Sequence, residues 1–270
     1  MNPVSHRSLA VGVFGGIVNS ALVYALLTYF DNPLFSSESL LSSVVVGAFL
    51  LGFLALALTA HTGLIASAGG FAASLGGIVY LEVTSPAPEK VGELGGHAIV
   101  DGPFYIWYYA DTWYVWVSLL VVASVAEYAI RFGYDIGTHR LRNLPAFPPT
   151  RSDIAVLTAG AGALVGVSTV LLLSESFTTS IPILSFVFLL TAAGTAAPLL
   201  ALVSRGVVTP VGLYVLYAPT TLITAAIMST DGPVWVTLFG FGLVLAPLLW
   251  KLEEVLRSRY LGWNGGRFTG

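Results

Sequence analysis

The sequence predicts an all-α polytopic membrane protein, built as a bundle of about eight transmembrane helices. The 270 residues are 56% apolar and only 9% charged, and their mean hydropathy is +0.86. Soluble domains carry about 25% charged residues, so most of this surface is expected to face lipid. The apolar residues also fall into blocks of about 20, the length of a helix that crosses a hydrocarbon core about 30 Å thick.

The apolar blocks place the spans at 9–30, 40–60, 63–82, 112–132, 153–174, 182–204, 207–228 and 233–255. The first block continues to Phe30, which is longer than the apolar region of a signal peptide, so we interpret it as an uncleaved anchor. As one helix, the stretch 40–82 would be about twice the membrane thickness, and a break at 60–63 divides it into two spans. One span followed by a re-entrant segment is the alternative.

Basic residues predict the orientation of the spans. With the N-terminus inside, the outer segments contain a single basic residue, Lys90, and the inner segments contain the other ten: Arg7, Arg131, Arg140, Arg142, Arg151, Arg205, Lys251, Arg257, Arg259 and Arg267. Cytoplasmic loops are enriched in Lys and Arg, so we expect both termini to be cytoplasmic and the protein to lie in the cell membrane. The lipid bilayer is then its main partner.

Two connections between spans are long enough to be considered as separate domains, the outer loop 83–111 and the inner loop 133–152. Neither can build a hydrophobic core of its own, so we expect residues 1–270 to form a single membrane domain. The inner loop divides the spans four and four, which suggests a pseudo-repeat. Another pairing, of 153–204 with 207–255, is suggested by the tetrapeptide Ala-Pro-Leu-Leu, which occurs at 197–200 and again at 246–249.

Several classes of chemistry are excluded by composition. The chain has no cysteine, which excludes disulfides, thiolate catalysis and iron–sulfur ligation. No cofactor, metal or catalytic motif occurs, so we expect no cofactor and no metal. His97 and the carboxylates near it in the outer loop are better explained as a solvated acidic loop. The basic content is also too low for a nucleic-acid partner.

Glu127 and Arg131 form the most distinctive candidate site. Both lie in the fourth span, one helical turn apart, in the order that favours an ion pair. A carboxylate at membrane depth is costly and needs a partner or a cavity. A structural pair near the inner interface is the simpler interpretation, and a residue of a proton, ion or substrate pathway is the alternative.

Other polar groups at membrane depth are candidates for ligand or ion contact. Asn19 lies near the middle of the first span, where an amide needs a partner on another helix. Thr220 and Thr221 follow Pro219 in the seventh span, and a proline frees a carbonyl that could join the two hydroxyls around a small cation. Structural packing is the alternative for all of them.

Two aromatic residues and several small residues complete the candidates. Trp107 and Tyr108 belong to an aromatic run that either forms an interfacial belt or covers a substrate cavity as a lid. Small residues at four-residue spacing, such as Gly12 and Gly16 or Gly162 and Gly166, predict close helix packing within the chain. The glycine-rich third span is expected in the bundle interior.

Three functions remain open. The first is a small-solute or ion transporter, with a cavity among the glycine-rich third span and the proline-containing later spans. The second is a non-catalytic subunit or assembly partner of a larger complex, which would have other membrane subunits as partners. The third is an intramembrane enzyme. A transporter predicts a polar cavity touching Glu127 or the threonines of the seventh span, a subunit predicts a packed bundle with an apolar face, and an enzyme predicts converging titratable side chains.

Overall fold

The computed structural model describes residues 5–30, 38–86, 89–94, 97–102, 104–176, 180–227, 232–262 and 268. Within these ranges the long helices are α1 (His6–Tyr29), α2 (Glu38–Thr62), α3 (Ala66–Thr84), α5 (Trp113–Tyr134), α6 (Arg151–Ser176), α7 (Ile181–Arg205), α8 (Thr209–Ile227) and α9 (Gly232–Leu261). Between α3 and α5 lie a hairpin of β1 (Glu89–Leu94) and β2 (His97–Asp101) and the short helix α4 (Tyr105–Asp111).

Seven of these helices are long and apolar enough to cross a membrane, namely α1, α2, α3, α5, α6, α7 and α9. The chain is therefore a helical multi-pass membrane protein. The remaining long helix, α8, has 19 residues and packs against α7 and α9. The eight long helices coincide with the eight predicted spans to within a few residues at most ends, and α9 continues beyond its predicted end to Leu261.

The stretch 40–82 forms two helices, α2 and α3, and each is long and apolar enough to cross a membrane. Thr62 ends α2, and Gly63 follows it with φ +78°, a left-handed conformation that glycine adopts without strain. α7 ends in the same way at Arg205, which is followed by Gly206 with φ +69°. In both places the chain turns sharply and begins the next helix within a few residues.

The outer loop 83–111 contains more regular structure than the sequence predicted. β1 and β2 pair antiparallel with Glu89 opposite Asp101, so the fold is all-α except for this hairpin. α4 packs against α2 and α3 and buries Ile106, Tyr109 and Ala110. The end of this loop therefore packs a short helix against the long ones.

Close packing through glycine joins α1 to α2 and α6 to α7. A Cβ at Gly16 would lie 2.7 Å from the Phe49 ring, and a Cβ at Gly166 would lie 2.8 Å from the Phe188 ring. Only glycine leaves room for these rings at such a distance. The prediction of close packing within the chain is confirmed for the small residues of α1 and α6. It is not confirmed for the third set, Gly69, Ala73 and Gly77, because a Cβ at Gly69 or Gly77 would meet nothing within 4 Å.

The prediction that the third span lies in the bundle interior is wrong. Ser67 and Ile78 are the buried residues of α3, and the rest of the helix is at least partly exposed. A Cβ at Gly69, Gly76 or Gly77 would meet nothing within 4 Å. Glycine permits close approach of another helix, but in the described part of the chain nothing fills this space.

Candidate functional site

The carboxylate of Glu127 binds the N-terminus of α3. Oε1 accepts a hydrogen bond from the Ile65 amide at 3.0 Å, and Oε2 accepts one from the Ala66 amide at 2.6 Å. Arg131, one turn later on α5, pairs with Oε1 at 2.8 Å. The first amides of a helix lack partners within it and carry the positive end of its dipole, so a carboxylate satisfies both needs. We call this arrangement the first clamp.

A second clamp has the same geometry. The carboxylate of Glu253 on α9 accepts hydrogen bonds from the amides of Val208 at 3.1 Å and Thr209 at 2.7 Å, which begin α8. Arg257, again one turn later, pairs with Oε1 of Glu253 at 2.6 Å. Each clamp therefore consists of one carboxylate, two backbone amides and one guanidinium.

Both clamps share a short sequence motif, Glu-x-x-x-Arg-x-x-Tyr, at 127–134 and at 253–260. Sequence reasoning identified the ion pair of the first motif but missed its recurrence. It also missed the amides that the carboxylates bind, because they lie 62 and 45 residues earlier in the chain. The recurring spacing was the signal that could have revealed the second clamp.

The clamps divide the chain into two four-helix units of the same design. The first unit is α1, α2, α3 and α5, and the second unit is α6, α7, α8 and α9. In each unit a glycine-packed hairpin comes first, a helix that starts after a left-handed glycine follows, and the last helix supplies the clamp. This arrangement favours the four-and-four division over the pairing of 153–204 with 207–255.

Tyr134, the last residue of the first motif, joins the first unit to the second clamp. Its hydroxyl donates to the Gly206 carbonyl at 2.6 Å and accepts a hydrogen bond from Arg257 Nη1, also at 2.6 Å. Arg257 thus holds Tyr134 and Glu253 together. The matching residue of the second motif, Tyr260, is 76% exposed. The shared motif therefore supplies an inter-unit contact at Tyr134.

Asn19 links α1 to both α2 and α4. Its Nδ2 donates to the Ala48 carbonyl on α2 at 2.8 Å, and its Oδ1 accepts a hydrogen bond from the Tyr109 hydroxyl on α4 at 3.4 Å. Tyr109 is 1% exposed, and a tyrosine hydroxyl is protonated at neutral pH, so it can donate this hydrogen bond. The geometry matches the structural alternative for Asn19.

The two threonines of α8 are directed into hydrogen bonds with their own helix. Thr220 Oγ1 donates to the Leu216 carbonyl at 3.2 Å, and Thr221 Oγ1 donates to the Tyr217 carbonyl at 2.7 Å. Thr220 is exposed and Thr221 is buried, so the two side chains lie on different faces of the helix. This arrangement does not bring the hydroxyls together around a cation.

A cavity of about 480 Å³ lies between α3, α5 and α8, at the boundary between the two units. Gly77 and Ser74 line it from α3, Trp116 lines it from α5, and Tyr214 and Pro219 line it from α8. Its location matches the expectation of a cavity among the glycine-rich third span and a proline-containing later span. Its volume lies in the range of small-molecule binding sites.

The chemistry of this cavity differs from the expectation for a transporter of polar solutes. The lining side chains are almost all apolar, and none of them is charged. Glu127, Thr220 and Thr221 are not among the lining residues. A charged cargo, or one with several polar groups, would therefore lose its hydration and gain few protein partners, which is costly.

α4 lies next to the cavity at the end that is close to the hairpin. Tyr108 lines a small pocket with Thr112, and this pocket shares Ile78 and Trp116 with the larger cavity. Trp107 instead packs against the apolar cluster of the first unit. Of the two proposed lid residues, Tyr108 therefore lies beside the cavity wall, and Trp107 is not among the residues that line either pocket.

The sequence predicts no metal site, and metal-ligating clusters can be assessed in the described part of the chain. No group of three or more His, Asp or Glu side chains there is placed to hold a metal ion. The side chains of His97, Glu93 and Asp101 lie outside the described residues. Searches against protein-family models, curated proteins and solved structures found no match. The function is therefore inferred from the geometry of this chain.

Proposed function

We propose that this protein is a small permease of the cell membrane, and that its binding site is the cavity between the two units. The location of the cavity carries this proposal, because many transporters built from repeats bind their cargo where the repeats meet. α3 and α5 belong to the first unit and α8 to the second unit. A movement of one unit against the other would therefore change the shape of the cavity.

We further propose eight spans with both termini in the cytoplasm. Eight long helices supply the spans, and the predicted basic segments supply the direction. An even number of crossings gives both units the same orientation and puts both clamps on the cytoplasmic side. Reporter domains fused after Glu89 and after Arg142 should then lie in opposite compartments. Two reporters on one side would contradict this topology.

Filling the cavity tests the permease function. Gly77 lines the cavity, and a Cβ there would meet nothing within 4 Å, so Gly77→Leu should occupy the cavity without disturbing a neighbour. Gly76 has the same free space but does not line the cavity, so Gly76→Leu is the matched control. Both variants replace a helical glycine and should fold at least as well as the parent.

The readout is complementation of a strain that lacks the gene, scored by growth and by the metabolite content of cells and medium. Gly76→Leu should restore the parental values, and Gly77→Leu should not. Equal complementation by the two variants would exclude transport through the cavity. The comparison is valid when the parent and the two variants are present in the membrane in equal amounts.

A second candidate function is that of a membrane subunit, and the exposed face of α3 favours it. Gly69 and Gly76 lie on this face, and a Cβ added at either residue would have no atom within 4 Å. The backbone of another helix could therefore approach closely here. A subunit predicts that purification in a mild detergent returns a complex of defined composition, and that Gly76→Leu disrupts it while Gly77→Leu does not. A single species from the parent chain would exclude it.

A further inference from the structure

We infer that the cavity binds one hydrocarbon chain, which enters sideways from the bilayer between α3 and α8. This inference rests on the proposed function, since it names the class of molecule that the same cavity would take. A chain-like cargo fits the lining chemistry, the position of the mouth and the shape of the wall.

The lining of the cavity offers few hydrogen-bonding groups to a cargo. Two hydroxyl side chains contribute to the wall, those of Ser74 and Tyr214. The Ser74 hydroxyl donates to the Phe71 carbonyl at 2.9 Å, and the Tyr214 hydroxyl is 3.0 Å from the Thr195 hydroxyl. Both already have a partner in the protein. Trp116 also lines the cavity, and its buried indole Nε1 has no hydrogen-bond partner among the described residues. Apart from this single donor the remaining surface is apolar, so it favours a molecule that is mostly hydrocarbon at this depth.

The mouth of the cavity faces outward from the bundle. Ile78, Leu120 and Tyr214, which lie deepest, are almost completely buried. By contrast, Val215 on α8 is 52% exposed and Leu81 on α3 is 37% exposed. A buried floor with exposed walls on two different helices describes a cleft that opens at the helix surface. In a bilayer that surface is covered by lipid chains, which are then the nearest molecules able to enter.

Small residues form a large part of the wall on α3, next to Ile78 and Leu81. Gly70, Ala73 and Gly77 follow one another along the face of α3 that lines the cavity. Positions three and four apart lie on one face of a helix, so these residues form a strip of small side chains, flanked by the larger Ile78 and Leu81. On the opposite wall, Val215 and Pro219 stand one turn apart on α8. A strip of this form accommodates an extended chain better than a compact molecule.

Photolabelling of the purified full chain in phosphatidylcholine vesicles tests the inference. The probes are palmitic acid with a diazirine on its chain, phosphatidylcholine carrying the same chain, and a water-soluble diazirine sugar. Mass spectrometry then locates the labelled residues. Either lipid probe should label the cavity walls near Leu81 and Val215, and the one that does so names the source of the chain. The sugar should leave those walls unlabelled.

Variants distinguish a defined site from the general lipid-facing surface. Gly77→Leu should lower labelling of the walls about tenfold, because its side chain occupies the space of the probe, whereas Gly76→Leu should leave it unchanged. Val215→Trp narrows the cleft from the other wall and should act like Gly77→Leu. Labelling that is uniform over all lipid-facing helices, or that is the same in these variants, would overturn the inference.

The inference and the proposed function can fail separately. If the lipid probes label the walls but Gly77→Leu still complements, the chain site stands and the permease function falls. If Gly77→Leu abolishes complementation while only the sugar labels the walls, the permease function stands and the hydrocarbon-chain inference falls.

Discussion

Replacing Glu127 by Gln should destabilise the protein through α3, although the side chain keeps its size. The carboxylate accepts from two backbone amides and pairs with Arg131, and it is only 11% exposed. A Gln side chain has one acceptor oxygen, so its NH2 group must face the second amide, donor against donor. Hydrogen bonds to a charged group are each worth about 1.5–3 kcal/mol, and Arg131 loses its counter-charge as well, so we expect a loss of about 2–4 kcal/mol.

Substitutions on α9, in and next to the second clamp, provide a reference for the size of this loss of stability. Glu253→Gln should cost less than Glu127→Gln, because Arg257 keeps the Tyr134 hydroxyl and the Gly206 carbonyl as acceptors. Glu254→Gln is the control on the same helix. Glu254 pairs with Lys251, whose side chain is 79% exposed, and such pairs contribute about 0–1 kcal/mol.

The assay is unfolding of the purified variants in mixed micelles with increasing sodium dodecyl sulfate, followed by far-UV circular dichroism. Glu127→Gln should lose the most stability and Glu253→Gln less, and Glu254→Gln should lose almost none. Exchanging the charges, with Arg at 127 and Glu at 131, should not restore stability, because a guanidinium cannot accept from the amides of α3. Restoration by this exchange, or a loss for Glu127→Gln no larger than for Glu254→Gln, would refute the clamp.

Three further substitutions follow from the packing and the contact between the units. Tyr134→Phe removes the hydrogen bonds to the second clamp and should cost about 1–3 kcal/mol, whereas Tyr260→Phe, at an exposed site, should cost almost nothing in the same unfolding assay. Gly162→Ala should be destabilising, because its Cβ would lie 2.5 Å from a backbone carbonyl of α7. Gly160→Ala has free space around the new Cβ and should raise the free energy of unfolding by about 0.5–1 kcal/mol. The melting temperatures of the two variants should therefore move in opposite directions. Asn19→Leu should lose about 1 kcal/mol by removing the bond between α1 and α2, and an unchanged melting temperature would contradict that role.

The positions of the helices could be predicted from the sequence, because the thickness of the bilayer sets the length of an apolar block. The break between α2 and α3 was also predictable, since one continuous helix would have been about twice too long. The hairpin and α4 could not be predicted in the same way. Their connection has no apolar block of span length, and the burial of Tyr109 depends on contacts with Asn19 in a distant helix.

The clamps show why the candidate site was only partly predictable. A pair such as Glu127 and Arg131 is visible in one sequence because its members are one helical turn apart. The amides of Ile65 and Ala66 are not visible, because every residue except proline has an amide and nothing in the sequence marks those that lack a partner. Sequence alone therefore identified a costly carboxylate but not the helix end that satisfies it.

The position of α3 was predicted wrongly for a physical reason. Glycines such as Gly69 and Gly76 are compatible with close approach of a neighbouring helix, but they do not specify which helix approaches. Inside a bundle, the neighbour is part of the same chain. At the surface of a bundle, it is lipid or another molecule, and the glycine pattern is the same in both cases.

The separation along the chain between each clamp and the helix end that it binds has a consequence for how the protein is made. The Ile65 amide and the Glu127 carboxylate are 62 residues apart. A ribosome adds about 5–20 residues per second, so the start of α3 waits roughly 3–12 seconds for its acceptor. During that interval water or the insertion machinery must satisfy those amides. The first unit can then be completed while the second is still being synthesised, which makes the two halves successive stages of biogenesis.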